Sequence, residues 1–326
     1  MPLITALYTD MNVNSAELLN TVIKLFIIMV VGFGAYKLKF MDRDFSKKLS
    51  NFVICVGTPF LVLGGLLGTE DKNIENLKSG LLIILTGICI YVFSAIAAFA
   101  STRPIKDSKE RCIGEFALLF ANTGFMGFPV LKALFGEEMG AFYGSFYIIA
   151  FNLVIWTYGI FVISKAGSGV KAKPINMVLN YGTVPCILGI ILYMLPWQLP
   201  HVVTDAFKMI GDITIPCSMF IIGGVIATIP FGKIFSDIKV YILLFIKLLI
   251  IPTVSSALAY ILGLDSFYIY FVAIMTALPC ASNTVMYAEK YDVAPEFGAK
   301  LTGISTVLSV ATVPLVLNLI DKLFIS

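Results

Sequence analysis

The chain has 326 residues, of which 59% are hydrophobic and only 13% charged, and its formal net charge is +3. Apolar stretches of this extent leave no room for a separate soluble domain of ordinary size, and no basic domain is present on which nucleic acid could bind. A single histidine, His201 in a predicted loop, excludes a His-rich metal site and argues against a hydrolytic His dyad or triad. No GxxxxGK[ST] loop occurs for ATP.

The first fourteen residues are polar, with no basic stretch ahead of an apolar core, so no secretory signal is expected. Beyond them, uncharged runs of about 20 residues predict an all-α integral membrane protein with ten transmembrane helices. Spans 1 to 5 cover residues 16–38, 49–67 (with Pro59 inside), 79–100, 111–135 and 140–164. A linker at 165–174, reading KAGSGVKAKP, leads to span 6 at 175–195 and span 7 at 203–228, which contains Pro216. Spans 8, 9 and 10 follow at 240–262, 268–288 and 298–324. The cysteines Cys55, Cys89, Cys112, Cys186, Cys217 and Cys280 fall in or beside these spans without CxxC spacing, as small core hydrophobes rather than a disulfide framework. No cofactor and no metal are expected.

Spans 4 and 9 are spoiled at their centres. Span 4 reads FALLFANTGFMGFPVLKALFG over 116–136, with Asn122, Thr123, Gly124 and Gly127 where lipid-facing leucine belongs and Pro129 soon after. Continuous helical hydrogen bonding is not expected across such residues. Span 9 carries Pro279, Cys280, Ala281, Ser282, Asn283 and Thr284 at its centre. Both breaks fall eleven residues into their spans, about 16 Å of helix and half of a ~30 Å hydrocarbon core. Opened backbone at that depth is tolerated only where protein or a water-filled cavity satisfies it, which marks a ligand site.

Lys and Arg divide unequally between the two sides. The loops after spans 1, 3, 5, 7 and 9 hold sixteen and the opposite side five (Lys72, Lys78, Lys132, Lys208 and Lys322), while Lys24 and Lys247 lie within spans. Positive loops stay cytoplasmic, so both termini are expected outside a cell membrane. A repeat is visible too: Pro59 and Pro216 are 157 residues apart, Ala121 and Pro279 158, and Gly140-Ala141 recurs as Gly298-Ala299 after 158. Five spans per repeat is an odd number, so the expected architecture is a five-plus-five inverted repeat, 16–164 and 175–326, with the two breaks related by its pseudo-twofold axis.

The segments ANTGFMGFPVLKALFG at 121–136, ALPCASNTVMYAEKYDVAP at 277–295 and ISTVLSVATVPL at 304–315 resemble the auxin efflux carrier family, which includes the plant PIN-FORMED carriers and bacterial carriers of small organic acids. The resemblance implies that helices 4 and 9 cross at the midplane. It implies a transport unit of helices 3–5 and 8–10 moving, elevator-like, against a scaffold of helices 1, 2, 6 and 7, and a homodimer through scaffold helices 2 and 7. The family's anion-contacting crossover asparagine falls on Asn122. Helix 9 keeps its crossover proline as Pro279, whereas Ala121 stands where the plant carriers have proline.

A broken helix presents unpaired N–H groups and the positive end of its dipole, so carboxylates bind there without Arg or Lys. The expected substrate-binding residues are Asn122, Thr123, Gly124, Cys280, Ala281, Ser282 and Asn283. The competing reading is that these small and polar residues only mediate tight helix packing. Asn51 and Asn152 are single amides, of a kind that more often bond a neighbouring helix than line a cavity. Tyr143, Phe146, Tyr147, Phe151 and Trp156 read as core or lipid-facing. Gly64, Gly65, Gly223 and Gly224 mark close helix approach, at the scaffold or at a dimer contact.

Two further expectations concern charge. Lys24 and Asp212 lie at similar depth in scaffold spans, where an unpaired ion costs ~2.5–3.5 kcal/mol on insertion scales, and are expected to pair as a structural unit. Lys247 and Glu115, near the cytoplasmic face, either pair likewise or snorkel. The leading function is a secondary carrier of small organic anions, such as auxin-like acids or dicarboxylates. The alternatives are a sodium-coupled symporter resembling the bile-acid carriers and a transporter-like sensor. An intramembrane enzyme lacks its catalytic pair. The charge asymmetry makes one direct prediction: with native cysteines removed, a membrane-impermeant thiol reagent on intact cells labels Asn73→Cys and not Ser168→Cys.

Overall fold

A computed structural model describes residues 15–69, 73–166, 180–195, 199–229 and 237–325. Ser168 and most of the 165–174 linker lie outside these, as does the expected start of span 6. The described residues are helical, with no strand among them. The helices are α1 (Ser15–Lys37), α2 (Arg43–Leu67), α3 (Ile74–Thr102), α4 (Ser108–Leu119), α5 (Thr123–Phe135) and α6 (Glu137–Ser164). They continue with α7 (Thr183–Met194), α8 (His201–Thr228), α9 (Ile238–Ile261), α10 (Ser266–Ala277), α11 (Asn283–Lys290) and α12 (Pro295–Phe324). Among the described residues seven helices are long and apolar enough to cross a membrane: α1, α2, α3, α6, α8, α9 and α12. Shorter apolar helices are α5, α7 and α10.

Several helices begin earlier than the apolar runs suggest, because caps rather than hydrophobicity set their starts. Asp42 Oδ1 accepts from Phe45 N–H at 2.7 Å, Asn73 Oδ1 from Asn76 N–H at 2.7 Å and Asp107 Oδ1 from Glu110 N–H at 2.8 Å. Each satisfies a donor that the first turn would otherwise leave open.

Proline shapes the interiors. Val53–Gly57, Thr123–Gly127 and Ile246–Ile250 are wide π-helical turns, and Pro59, Pro129 and Pro252 each stand two residues beyond one of them. Thr58 N–H reaches Val53 O and Ile251 N–H reaches Ile246 O, five residues back. A proline ring clashes with the carbonyl four residues earlier and offers it no N–H, and the wider turn absorbs both defects. In α8 the defect is a one-residue interruption instead. The helix divides at Ile213 into His201–Asp212 and Thr214–Thr228, three residues ahead of Pro216.

The twice-interrupted middle of the chain lies innermost. Residues 112–119 of α4, 268–277 of α10 and 140–152 of α6 are all buried. The outer helices carry exposed apolar side chains such as Ile27, Leu85, Ile96 and Ile261. α1 lies along the second half of α8, and α2 against the first half of α8 and against α7. α3 packs on α4 and α6, α5 on α6, α9 on α10, and α12 on α10 and α11, while α2 also packs on α6.

The paired glycines make contacts inside the chain. A Cβ on Gly223 would overlap the Met29 carbonyl oxygen of α1, and one on Gly65 would lie 2.7 Å from the Ala141 carbonyl oxygen of α6. At Gly224 a Cβ would meet Tyr36 Cδ2 at 3.4 Å, an ordinary contact. Gly223→Ala is therefore expected to lower stability by about 1–3 kcal/mol, the usual cost of forcing a packed contact apart. Gly224→Ala is expected to be neutral or slightly stabilising. Thermal unfolding of the two purified variants checks this, and equal melting temperatures would refute the backbone contact.

Candidate functional site

The site begins with the two interruptions. After α4 the backbone is extended at Phe120 (φ −99°, ψ 119°), then turns at Asn122 (φ −76°, ψ 56°). Thr123 N–H donates to Ala121 O at 2.8 Å, closing a three-residue inverse γ-turn from which α5 starts. After α10, Leu278 is extended (φ −59°, ψ 151°) because the ring of Pro279 excludes the helical region for the residue before it. Ser282 returns to helical angles and α11 follows.

The two extended pieces lie antiparallel against each other. Asn122 N–H donates to Pro279 O at 2.8 Å and Ala281 N–H to Phe120 O at 2.9 Å, with Ala121 opposite Cys280. Backbone groups released by each break are thereby satisfied by the other, as a buried location requires. In this register the N–H groups of Ala121 and Cys280 point away from the crossing strand. Cys280 N–H donates to Ser305 Oγ of α12 at 3.1 Å. The crossing thus makes no use of an N–H at position 121, so alanine serves where the resembling plant carriers have proline.

Around the crossing sits a set of buried polar atoms. Asn122 is 2% exposed, and Thr123, Ser282 and Thr284 are buried with it. Asn122 Nδ2 and the hydroxyls of Thr123, Ser282 and Thr284 have no hydrogen-bond partner among the described residues. Such groups cost roughly 1–3 kcal/mol each when left unmet. The backbone adds donors at the start of α5: Met126 and Gly127 N–H bond to Asn122 O at 3.0 and 3.1 Å, which leaves Gly124 and Phe125 N–H without a backbone acceptor.

An aromatic box closes the first break. Tyr91 of α3 packs on Phe120 (ring centroids 5.8 Å apart) and on Tyr147 of α6 (5.7 Å), and Phe151 stands edge-on to Phe120 at 5.6 Å. The Tyr91 hydroxyl lies beside those of Thr123 and Tyr147 yet finds no partner of good geometry. Tyr143, Phe146, Tyr147 and Phe151 are buried and Trp156 is half-buried.

Of the residues singled out in the sequence, the structure brings Ala121, Asn122, Thr123, Pro279, Cys280, Ala281 and Ser282 together at the crossing. Gly124 and Asn283 border it, half-buried. Asn152 does not reach it, since its Nδ2 donates to Ile148 O of its own helix at 2.9 Å. Asn51 is exposed. Tyr91, Thr284 and Lys247 were not singled out as site residues. Tyr91 stands on α3, far from both motifs in sequence, and only its polarity inside an apolar span could have flagged it, whereas Lys247 of α9 stands out in the sequence as a charge within a span.

The expected scaffold ion pair is different from the one found. Asp212 accepts from Lys132 of α5 at 3.3 Å, and Lys132 also meets Glu137 at 3.1 Å. Lys24 instead occupies the exposed face of α1, in helical register with Ile27 and Val31. Equal depth along two helices was the reason to pair them, but rotation about the helix axis decides which side chains face, and Lys24 faces outward. Glu115 is likewise held elsewhere, by the Tyr158 hydroxyl at 2.7 Å and Lys165 at 3.9 Å. Lys247 is buried without it.

Residues 17–317 match the membrane transport protein family. The chain belongs to this family, that of the auxin efflux carriers, and is a multi-pass membrane transporter. It is 25% identical to a Rhizobium meliloti protein named "Putative malonate transporter", over 94% of this chain and 96% of that one. It is 23% identical to an "Uncharacterized transporter" of Methanocaldococcus jannaschii over 91% and 97% of the two chains. A third, from Methanothermobacter thermautotrophicus and also named "Uncharacterized transporter", is 22% identical over 90% and 96%.

In this family member the crossing is tied to α12 through one hydroxyl, which is a testable dependence. Ser305→Ala is expected to cost about 1–3 kcal/mol by stranding Cys280 N–H. Ser309→Ala, whose hydroxyl bonds only Thr306 O of its own helix at 2.7 Å, is expected to change stability by no more than about 0.5 kcal/mol. Denaturation of both variants measures the difference.

Proposed function

We propose that this transporter is a secondary carrier of small organic anions, held at the crossing of α4–α5 with α10–α11 and moved by an elevator-like alternating-access mechanism. The observation that carries this reading is the cluster of buried, unpartnered polar atoms on Asn122, Thr123, Ser282 and Thr284 beside two helix starts. Helix N-termini attract anions through free N–H groups and the dipole, and side-chain donors such as Asn122 Nδ2 fix orientation. The name of the Rhizobium meliloti relative adds a dicarboxylate to the candidate substrates.

In this reading α4 with α5 is one interrupted span and α10 with α11 another, giving ten spans in an inverted five-plus-five repeat. α3–α6 and α9–α12 form the moving unit, and α1, α2, α7 and α8 the scaffold. The packing supports that division: α1, α2, α7 and α8 pack mainly among themselves, and the remaining helices mainly on one another, with α2 against α6 as the main seam. Both termini face outward, as the charge asymmetry suggests. A homodimer through α2 and α8 would use the apolar side chains those helices leave exposed, Phe52 on α2 and Val202, Met209 and Ile213 on α8.

The test is Asn122→Ala. Loss of one hydrogen bond to a carboxylate weakens binding by about 10- to 100-fold, while the melting temperature without ligand stays unchanged because Nδ2 has no protein partner to strand. Calorimetric titration with malonate, followed by uptake into proteoliposomes in sodium-free buffer, provides the measurement. Undiminished binding by Asn122→Ala would reduce the asparagine to a packing residue, and uptake that requires sodium would favour a coupled symporter.

A further inference from the structure

Lys247 is a buried cation inside the helix bundle. It lies in the wide turn Ile246–Ile250 of α9, which packs against α10 and α12. It is 2% exposed and among the largest fully buried side chains of the protein. Snorkelling, which would carry the ammonium to water, is excluded by that burial.

Several other lysines in the described residues have counter-ions. Lys132 meets Asp212 and Glu137, Lys165 meets Glu115, Lys239 meets Glu110, and Lys300 meets Glu296. Lys247 takes part in none of the ion pairs among the described residues. Lys247 therefore has no carboxylate partner among the described residues. α9 and α10 are packed neighbours joined by a short turn, and Lys247 stands as far before that turn as Cys280, the residue opposite Ala121 in the crossing, stands after it.

A buried ammonium without an opposite charge is strongly disfavoured, and intramembrane ionisable residues persist where function requires them. The crossing, for its part, offers only partial charges from helix ends and neutral side chains. These suit one carboxylate and leave a second one uncompensated. We propose that Lys247 is the fixed cation that meets the second carboxylate of a small dicarboxylate, so that it sets a preference for doubly charged over singly charged anions. The inference rests on the crossing being the anion site.

The experiment uses malonate and its monomethyl ester, of nearly the same shape and with one charge fewer, titrated into the purified protein and its Lys247→Met, Lys247→Arg and Asn122→Ala variants. The wild type is expected to bind malonate at least about 10-fold more tightly than the monoester. Lys247→Met should lose about 10- to 100-fold for malonate, as for a charge-assisted contact, and keep the monoester within about threefold, so that the preference disappears. Lys247→Arg should retain it. Monoester binding reports that the variant is folded, and should Lys247→Met fail to fold, Lys247→Gln carries the same expectation.

A preference for malonate that survives Lys247→Met overturns the inference, as does a wild type that binds neither probe. Preserved preference with altered pH dependence also overturns it, since the lysine would then carry protons rather than pair with substrate. The two readings separate cleanly. Weaker binding of both probes by Asn122→Ala with no effect of Lys247→Met defeats the lysine's role alone. Unaltered binding of both by Asn122→Ala defeats the crossing as the site.

Discussion

The constraint on which this structure depends is that backbone polar groups away from water must be satisfied. Two interrupted helices could not each survive alone in a hydrocarbon environment, because each exposes N–H and C=O groups with no water to receive them. Laid antiparallel, Phe120–Asn122 and Pro279–Ala281 supply one another's partners through two hydrogen bonds of 2.8 and 2.9 Å. Cys280 N–H, pointing outward, is taken up by Ser305. The interruptions are thus a single two-part element, and the surrounding helices serve to keep its parts in register.

That element makes the candidate site neutral in its side chains yet electropositive at two helix starts. Extending the backbone creates two new helix starts, and a helix start is electropositive without any ionised group. Small residues at the turn, such as Gly124 and Ala281, leave the N–H groups accessible. The aromatic box of Tyr91, Phe120, Tyr147 and Phe151 bounds the site with rigid apolar surface. Charges near its flanking helices have partners of their own: Lys132, in the last turn of α5, meets Asp212, and Glu115 of α4 meets Tyr158 and Lys165.

Proline and glycine divide the mechanical work. Where a proline follows a wide turn, as at Pro59, Pro129 and Pro252, the helix continues with its hydrogen bonds redistributed. At Pro216 the helix is instead interrupted at Ile213, and Pro279 goes further by excluding helix from Leu278. Glycine sets how closely the helices approach. Gly223 admits the Met29 carbonyl of α1, and Gly65 admits that of Ala141 on α6. One contact fixes α1 to α8 and the other sets the distance across the α2–α6 seam.

The amino-acid sequence by itself determined the membrane character, nearly every long helix and the position of both interruptions. These follow from local rules: hydrophobic length, and the residues that a continuous helix does not tolerate. The family was legible in the same way, from short motifs at the two breaks. Sequence also placed Asn122, Thr123 and Ser282 in the candidate site, since polar residues within apolar spans stand out. It did not determine partners. Lys24 and Asp212 matched in depth, but rotation about the helix axis sends Lys24 outward and the approach of α5 brings Lys132 to Asp212. Nothing local to Tyr91 or Lys247 tells that α3 and α9 turn them inward toward breaks distant in the chain. Tertiary packing decided those neighbours, because a helix repeats every 3.6 residues and its sequence fixes which residues share a face, while the surrounding helices decide what that face meets.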